Sequence, residues 1–349
     1  MRTITWNSDL PAVEMIDQNK LPGEFSLLQQ KTIEAVAQAI QNKTIQGTSA
    51  VALAAVYGLV LAGFGSKVTS LEGLKLDYQK AASMFKVIQP KTRLLPIAIE
   101  TIMGFVRNFE GDPDQLRQGV LENAEALVQA ELERNLSIAK MGAELINDGD
   151  RIIHHGSTGG LASIEHGTAL GIIRYAWQQG KRVHVFVDES RPAMLGSRLA
   201  AWEFEQAGIP YDIIADGAAG YLMRSGKADK VLFGAERVAM NGDIANSLGT
   251  YMLSVAAYDT GIPAYCVFPS YMIDPNIPSG LEIMIENSDT ADLLNTQIDG
   301  HRTAPESATA FNFAFDITPH RLISGLITEK GVFYPPFFRD LSLAAIKER

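Results

Sequence analysis

Apolar and polar positions along the 349 residues fall into two regimes. Up to about residue 135 the apolar residues recur mainly at helical spacing. Leu27 to Gln41 shows that period and ends in the polar stretch Gln41-Asn42-Lys43. Ala50 to Leu61 is so dense in alanine, valine and leucine that it predicts a helix buried on most sides. Gly47-Thr48-Ser49 precedes it, where hydroxyl caps and free helix N–H groups occur. Asp112-Pro113-Asp114 opens a long helical pattern from Gln115 to Ile146, closed by Asn147-Asp148-Gly149-Asp150.

From Arg151 the period changes. Short apolar runs recur at Arg151–His155, Val183–Val187, Tyr211–Ala215, Lys230–Phe233 and Ala264–Phe268. Between them Leu161–Gln179, Ala193–Ala207, Ala218–Ser225 and Asn246–Thr260 read as helices. This alternation predicts an α/β fold: a Rossmann-like, mostly parallel sheet with helices on both faces, over residues 136–349. A smaller, mainly helical domain, residues 1–135, precedes it. Right-handed crossovers put the ends of the strands on one edge, where ligands sit in such sheets. The segment 270–310, rich in Pro, Ser, Asn and Asp, reads as loops over that edge.

Composition narrows the classes of function. The chain is 46% hydrophobic and 20% charged, enough apolar material for a sizeable core. Its net charge of −10 argues against a broad nucleic-acid surface, which needs an excess of lysine and arginine. The single cysteine, Cys266, lies in an apolar run and reads as a buried, inert thiol. The first residues, Met1-Arg2-Thr3-Ile4-Thr5-Trp6, show no signal-peptide pattern, and no apolar run is read as a membrane span. The expected setting is the cytoplasm.

Candidate chemistry gathers after the apolar runs. Gly234 to Asp243 follows Lys230–Phe233 and reads as a strand-to-helix turn crowded with acids, amides and an arginine. Glu236 and Asp243 are its candidate acid or base, because a carboxyl in a dry pocket shuttles protons at neutral pH. Asn246 is placed to donate to a bound oxygen. Gly156-Ser157-Thr158-Gly159-Gly160 follows the first strand; its glycines let backbone approach an anion, though a tight turn would look the same. The dinucleotide and Walker spacings are absent. Asp188-Glu189-Ser190-Arg191-Pro192 suits either a sugar's hydroxyls or a local ion pair. In the helical domain, Gln46-Gly47-Thr48-Ser49 and Thr92-Arg93 offer an anion hook, with a solvated capping arginine as the alternative. Strand alternation sends His154 and His155 to opposite faces. The remaining histidines show no metal-ligand spacing, so no metal is expected.

Together these motifs resemble the methylthioribose-1-phosphate isomerase family, related to the alpha, beta and delta subunits of the eukaryotic exchange factor for initiation factor two. The resemblance starts at Val13–Gln18 and Lys20–Glu24 and continues through Ala54–Leu59, His166–Gly171 and Asp188–Pro192. It ends at Phe315-Asp316-Ile317-Thr318-Pro319 and Ile327–Val332. It implies a helical N-terminal domain, a Rossmann-like C-terminal domain, a homodimer, and conversion of a ribose 1-phosphate to a ribulose 1-phosphate in methionine salvage, without cofactor.

The chain departs from the family pattern at the site. The family's His-Cys-Asn-Thr-Gly reads His155-Gly156-Ser157-Thr158-Gly159, so its cysteine is Gly156. Gly-Ala-Asp-Arg becomes Gly234-Ala235-Glu236-Arg237, and Arg-Gly-Ala-Pro becomes Gln46-Gly47-Thr48-Ser49. Asn-Lys becomes Asn246-Ser247, and a glutamine becomes Leu195, while Arg93 is kept. Hydrogen bonds to an ion contribute about 1.5–3 kcal/mol each. Loss of an arginine and a lysine therefore weakens a phosphate grip by roughly two to four powers of ten. The expectation is an aldose–ketose isomerase of a ribose derivative with a different C1 substituent, an Amadori-type rearrangement of a 1-amino sugar being one form. Glu236 would manage the proton, with Ser157, His155 or a water near Gly156 in the cysteine's place. Gln46, Gly47, Thr48, Arg93, Gly156, Thr158, Gly159, Asp188, Leu195, Asn246 and Ser247 would contact the sugar. A genuine methylthioribose-1-phosphate isomerase and a non-catalytic sensor remain as alternatives.

Overall fold

The structure, a computed structural model, describes residues 2–88, 93–285 and 287–345. Thr92, named beside Arg93 above, lies outside the described residues. The chain divides into two compact units, Met1–Ser137 with Thr158–Gly167, and Ile138–Ser157 with Thr168–Arg349.

The first unit opens with strands β1 (Ile4–Asn7), β2 (Ala12–Ile16) and β3 (Leu27–Gln30), followed by α1 (Ile33–Gln41). The strands form an antiparallel sheet with Ile4 opposite Met15 and Ile16 opposite Leu27. The helix expected from Leu27 therefore starts later. Leu27–Gln30 completes the ladder on β2, and the Thr32 hydroxyl then caps the helix by accepting the Ala35 N–H at 3.2 Å.

α2 (Thr48–Gly65) is followed by α3 (Leu71–Ile88), α4 (Leu94–Asn108) and α5 (Pro113–Ala143), the last running on into the second unit. Every residue of α2 from Ser49 to Leu61 is buried, against α1, α3 and α4. Contrary to the sequence reading, α2 is long and apolar enough to cross a membrane, but it is the core helix of this unit. Thr158–Gly167 joins this unit although it follows the first strand of the second. Thr3 donates its N–H to the Ile164 carbonyl (2.7 Å) and its hydroxyl to Gly160, and the Gln18 amide reaches Leu161 (2.9 Å).

In the second unit β4 (Arg151–His155) is followed, after the short α6 (Gly160–Ser163) of the first unit, by α7 (Ala169–Gln178). The single helix expected over Leu161–Gln179 is thus split, because Ile164 (φ 69°) and Gly167 (φ 84°) adopt left-handed backbone. β5 (His184–Asp188), a π-helical turn at Gly196–Ala200, α8 (Ala201–Gln206), β6 (Tyr211–Ile214), α9 (Ala218–Arg224) and β7 (Lys230–Phe233) follow. Then come β8 (Arg237–Val238), β9 (Ile244–Ser247), α10 (Thr250–Thr260) and β10 (Ala264–Val267). The 270–310 segment holds short elements: 3-10 turns at Ser270–Met272 and Gly280–Glu282, α11 (Ala291–Leu294), and the hairpin β11 (Gln297–Ile298) with β12 (His301–Arg302). β13 (Phe315–Thr318), β14 (Gly325–Thr328), β15 (Gly331–Phe333) and α12 (Phe338–Ala344) complete it.

Among the described residues the main sheet has seven strands in the order β15-β14-β10-β7-β4-β5-β6. All its pairings are parallel except β14 with β15. Its strands are near-continuous apolar runs, as a sheet buried on both faces requires, and Ile152, Val185, Val187, Leu232, Val267 and Ile327 join the core with Ile172, Ile173 and Phe204. The chain lays β5 and β6 on one side of β4 and returns to place β7 on the other. The order reverses between β4 and β7, the switch point where open α/β sheets hold ligands.

A second, antiparallel sheet, ordered β13-β9-β8, follows from β7. It overturns the expected strand-to-helix turn at Gly234–Asp243. Residues 244–247 pair with β8 on one side and β13 on the other, so they form a central strand and the helix begins only at Thr250.

Candidate functional site

Three ionisable side chains stand at the carboxyl ends of three adjacent parallel strands. His155 is the last residue of β4, and it pairs in register with Asp188, the last of β5, and with Phe233, the last of β7. Glu236 follows Phe233 by three positions and is half-buried; its backbone N–H donates to the Ala245 carbonyl at 2.9 Å and fixes the start of the β8–β9 hairpin.

His155 is buried, and its Nδ1 lies 2.8 Å from Asp188 Oδ2. Its Nε2 faces the Ser247 carbonyl at 3.4 Å. Burial alone would lower its proton affinity. The hydrogen bond and charge of Asp188, helped by the Ser247 carbonyl and the charge of Asp316, outweigh that effect and hold it above its ordinary value. Burial pushes the Asp188 carboxyl up, and His155 pulls it partly back. The pairing with Asp188 thus favours the protonated form of the His155 ring. Asp188 Oδ1 is buried and makes no hydrogen bond. The neighbouring His154 points the other way, as alternation requires. It is buried edge-on against Phe204, and burial and the charge of His155 lower its value to about 3, leaving it neutral.

The two carboxyls of the 234–243 stretch separate into different roles. Asp243 Oδ1 accepts from the His320 N–H (2.9 Å) and Nδ1 (2.8 Å), and Oδ2 from Gly280 N–H (3.0 Å) and the Asn241 amide (2.8 Å). Burial raises it, but these donors prevail and hold it below the usual carboxylate range. Asp243 is therefore corrected from candidate acid or base to a clasp that ties the hairpin tip to the 3-10 turns at Gly280 and His320.

The other expected residues of this unit fall around the same strand ends. Gly156, directly after His155, is buried with φ of 90°, and Ser157 beside it is half-buried. Leu195 precedes the π-helical turn, whose start is held by Glu189 accepting from Gly196 N–H (3.1 Å) and Ser197 N–H (3.2 Å). Arg191 bonds the Thr296 hydroxyl at 2.8 Å. Asn246 is buried and spends an amide hydrogen on the Thr250 hydroxyl (2.9 Å), which in turn donates to the Ser247 carbonyl (2.7 Å). Ser247 thus meets His155 through its backbone. The sequence reading passed over Gly249, Thr250 and Asp316 as site residues. Gly249 has left-handed backbone (φ 103°) and lies near His155: a Cβ there would make an ordinary contact with Cε1 at 3.4 Å. Asp316 accepts from Gly249 N–H (2.8 Å) and Tyr251 N–H (3.2 Å). The Phe-Asp-Ile-Thr-Pro run carried that signal.

Gln46, Gly47, Thr48, Arg93, Thr158 and Gly159 belong to the first unit. There Gly47 (φ 97°) precedes α2 and meets Ala162, one turn on from Gly159; a Cβ on Gly47 would overlap the Ala162 backbone. Arg93 is buried at the start of α4, so it is not a solvated cap. Beside Thr48, the Ser49 hydroxyl donates to Glu131 at 2.6 Å, and Glu131 also holds Asn135 and Arg134.

Cys266 is buried on β10 with its thiol 3.3 Å from the Gly234 carbonyl, and burial pushes it well above the ordinary thiol range. It does not supply a thiolate in place of Gly156. Among the described residues no group of three or more His, Cys, Asp or Glu side chains is placed to hold a metal ion.

A parallel sheet with its polar ends at a switch point, entered from a helical N-terminal unit, defines the class. The pattern of the initiation factor 2 subunit family matches residues 44–335. The chain is 41% identical over 340 residues to methylthioribose-1-phosphate isomerase 2 of Pseudothermotoga lettingae, covering 97% of each. It superposes on the crystal structure of 5-methylthioribose 1-phosphate isomerase from Pyrococcus horikoshii OT3 with a TM-score of 0.92 and 35% identity, covering 98% of this chain and 95% of that one. Translation initiation factor eIF-2B, subunit delta, from A. fulgidus superposes with a TM-score of 0.89 and 32% identity, covering 99% of each. The chain belongs to the methylthioribose-1-phosphate isomerase family, within the wider initiation factor 2 subunit family. These relatives support an enzyme, an isomerase of that family.

Proposed function

We propose that the chain is an aldose–ketose isomerase of a ribose derivative whose C1 substituent is not a phosphate. The observation that carries this reading is the trio at the ends of neighbouring strands: a half-buried carboxyl, Glu236, three residues past the end of β7, and the buried His155 at the end of β4, fixed by Asp188. Moving a carbonyl from C1 to C2 takes a proton from C2 and returns one to C1. The ring first opens as the C1–O4 bond breaks and O4 takes a proton. Glu236 then removes the C2 proton, the electron pair forming a C1–C2 double bond. The same carboxyl protonates C1 while O2 gives up its proton and becomes the ketone oxygen. Water takes the O2 proton and supplies the one that O4 gains, so the exchange balances; His155, buried and favoured in its protonated form, stabilises the negative charge that develops on O2 as its proton leaves.

The charge around these strand ends supports the choice of substituent. Asp188, Glu189, Glu236 and Asp316 are acidic, and Arg237 is paired with Asp274 at 3.5 Å. A dianionic phosphate here meets like charge, whereas an amino group does not. With nitrogen at C1, its lone pair expels O4 and the rearrangement is of Amadori type. The relatives named methylthioribose-1-phosphate isomerase favour a second reading, in which the chain turns over that substrate despite Gly156.

A homodimer belongs to the same proposal. Tyr251, Met252, Val255 and Tyr258 expose apolar surface along α10, and a second copy is the occupant we assign to it.

The test is a panel of ribose 1-phosphates and ribosylamines followed by NMR, with Glu236→Gln as control. We expect ketose product from a non-phosphate sugar, and in the variant binding without turnover. Full activity of Glu236→Gln removes Glu236 from the mechanism. Turnover of 5-methylthioribose 1-phosphate alone selects the second reading.

A further inference from the structure

We propose that Asp316 is a positioning residue of this site: from β13 its carboxylate grips the first turn of α10 and so fixes the backbone that confines the imidazole of His155. The inference rests on the reading of His155 as the charged group of the site, but its geometry stands apart from the identity of the substrate.

The start of α10 leaves N–H groups that need acceptors, and its cap residue, Gly249, has no side chain to provide one. Asp316, 67 positions away in the chain, accepts the Gly249 and Tyr251 N–H groups. The grip has consequences for His155. Residues 247–249 present the Ser247 carbonyl to Nε2, and Gly249 lies where a Cβ would meet Cε1 at van der Waals distance. Asn246 and Thr250 tie down the same carbonyl from the other side, and Asp316 lies opposite Asn246 across the β13–β9 ladder. Asp188 holds the Nδ1 edge, so the ring is fixed at both edges.

The charges facing the ring come from each element packed on it. Asp188 is on β5, with Glu189 and Asp216 acting on it in turn; His154 is on β4; Asp316 is on β13; and β9 contributes only a carbonyl. Asp316 is thus the second carboxylate that favours the protonated ring. It also sits where an anion is favoured by the N-terminal end of a helix.

The test uses the ligand-free full chain labelled with 13C at histidine Cε1, the resonance of His155 being assigned among the six histidines with His155→Gln. In Asp316→Asn the charge is lost and the turn loosens. The His155 titration midpoint is expected to fall, and exchange of the Gly249 and Tyr251 amides to accelerate. A purely structural contribution of Asp316 would lower stability and leave the midpoint in place; that result, or no change at all, overturns the proposal. If Asp316→Asn does not fold, Asp316→Glu keeps the charge and displaces it. Faster exchange at Gly249 with a moved midpoint then supports the proposal, and wild-type behaviour in both refutes it. Because no substrate is used, failure here leaves the isomerase reading untouched, and an active Glu236→Gln leaves this coupling intact.

Discussion

Glu236 and Asp243 sit seven positions apart in one hairpin, and the structure makes their removal separable. Asp243→Ala deletes an acceptor of four hydrogen bonds, two of them from backbone N–H groups that have no alternative acceptor within their turns. Each bond to a charged acceptor contributes about 1.5–3 kcal/mol. The Gly280 N–H is buried and bears the full loss; His320 is exposed over 45% of its side chain and recovers part of its own from water. Counting only the two backbone N–H bonds, at the low end of that range, the expected cost is about 3 kcal/mol. At roughly 2–4 °C per kcal/mol for a unit of this size, the melting temperature falls by about 6–12 °C. The sign of the pH dependence follows from the direction of the shift. Asp243 is held below its ordinary range, so its contribution is complete above about pH 3.9 and is lost as pH falls through the lower native value. Calorimetry of wild type and variant should show the full gap at pH 7 and a shrinking gap below about pH 4. Equal melting temperatures at pH 7, or a gap that persists unchanged at pH 3, would refute the clasp.

Lys230→Met strands the buried Asp150 carboxylate, its partner at 2.6 Å, and should cost about 3–5 kcal/mol in urea unfolding, with a smaller loss when Asp150→Asn accompanies it. The Cys266 thiol should resist a thiol reagent in the native protein and react once the chain is unfolded; fast native labelling would contradict its burial. Met252→Asp, on the exposed face of α10, should halve the mass seen by light scattering, and an unchanged mass would assign the dimer to another face or remove it.

Much of the parallel sheet was legible because its strands are buried on both faces and so appear as unbroken apolar runs. Lys230–Phe233 and Arg151–His155 have the bounds read from the pattern. The second sheet was not legible for a related reason. Ile244–Ser247 is short, and only Leu248 and Gly249 separate it from α10, so the two run together in a helical period. Leu27–Gln30 misled in the same way, since two leucines ahead of α1 fit a 3.6-residue spacing as well as a strand. His155, Asp188 and Glu236 were legible as candidates because each lies at or just after the end of an apolar run, which is a local signal. Asp316 carries no such signal: its partners are 65 and 67 positions away, and only the pairing of β13 with β9 brings them together. Asp243 shows the converse, a local pattern that resembled chemistry until its four donors were known.

The departure at Gly156 changes what the rest of the site must do. A thiolate both abstracts protons and carries charge, and with it absent those two tasks need separate groups. Glu236 is half-buried and reaches one methylene further than an aspartate, which suits proton transfer. His155 is buried, and on the proposed reading that enclosure would let a protonated ring act on a developing negative charge with little screening. Two carboxylates near one imidazole are costly to bury unless the ring stays protonated. The same pressure that keeps it charged also disfavours a phosphate at these strand ends. The substrate preference proposed above is therefore tied to how His155 is held by Asp188 and Asp316 as well as to the residues expected at the sugar.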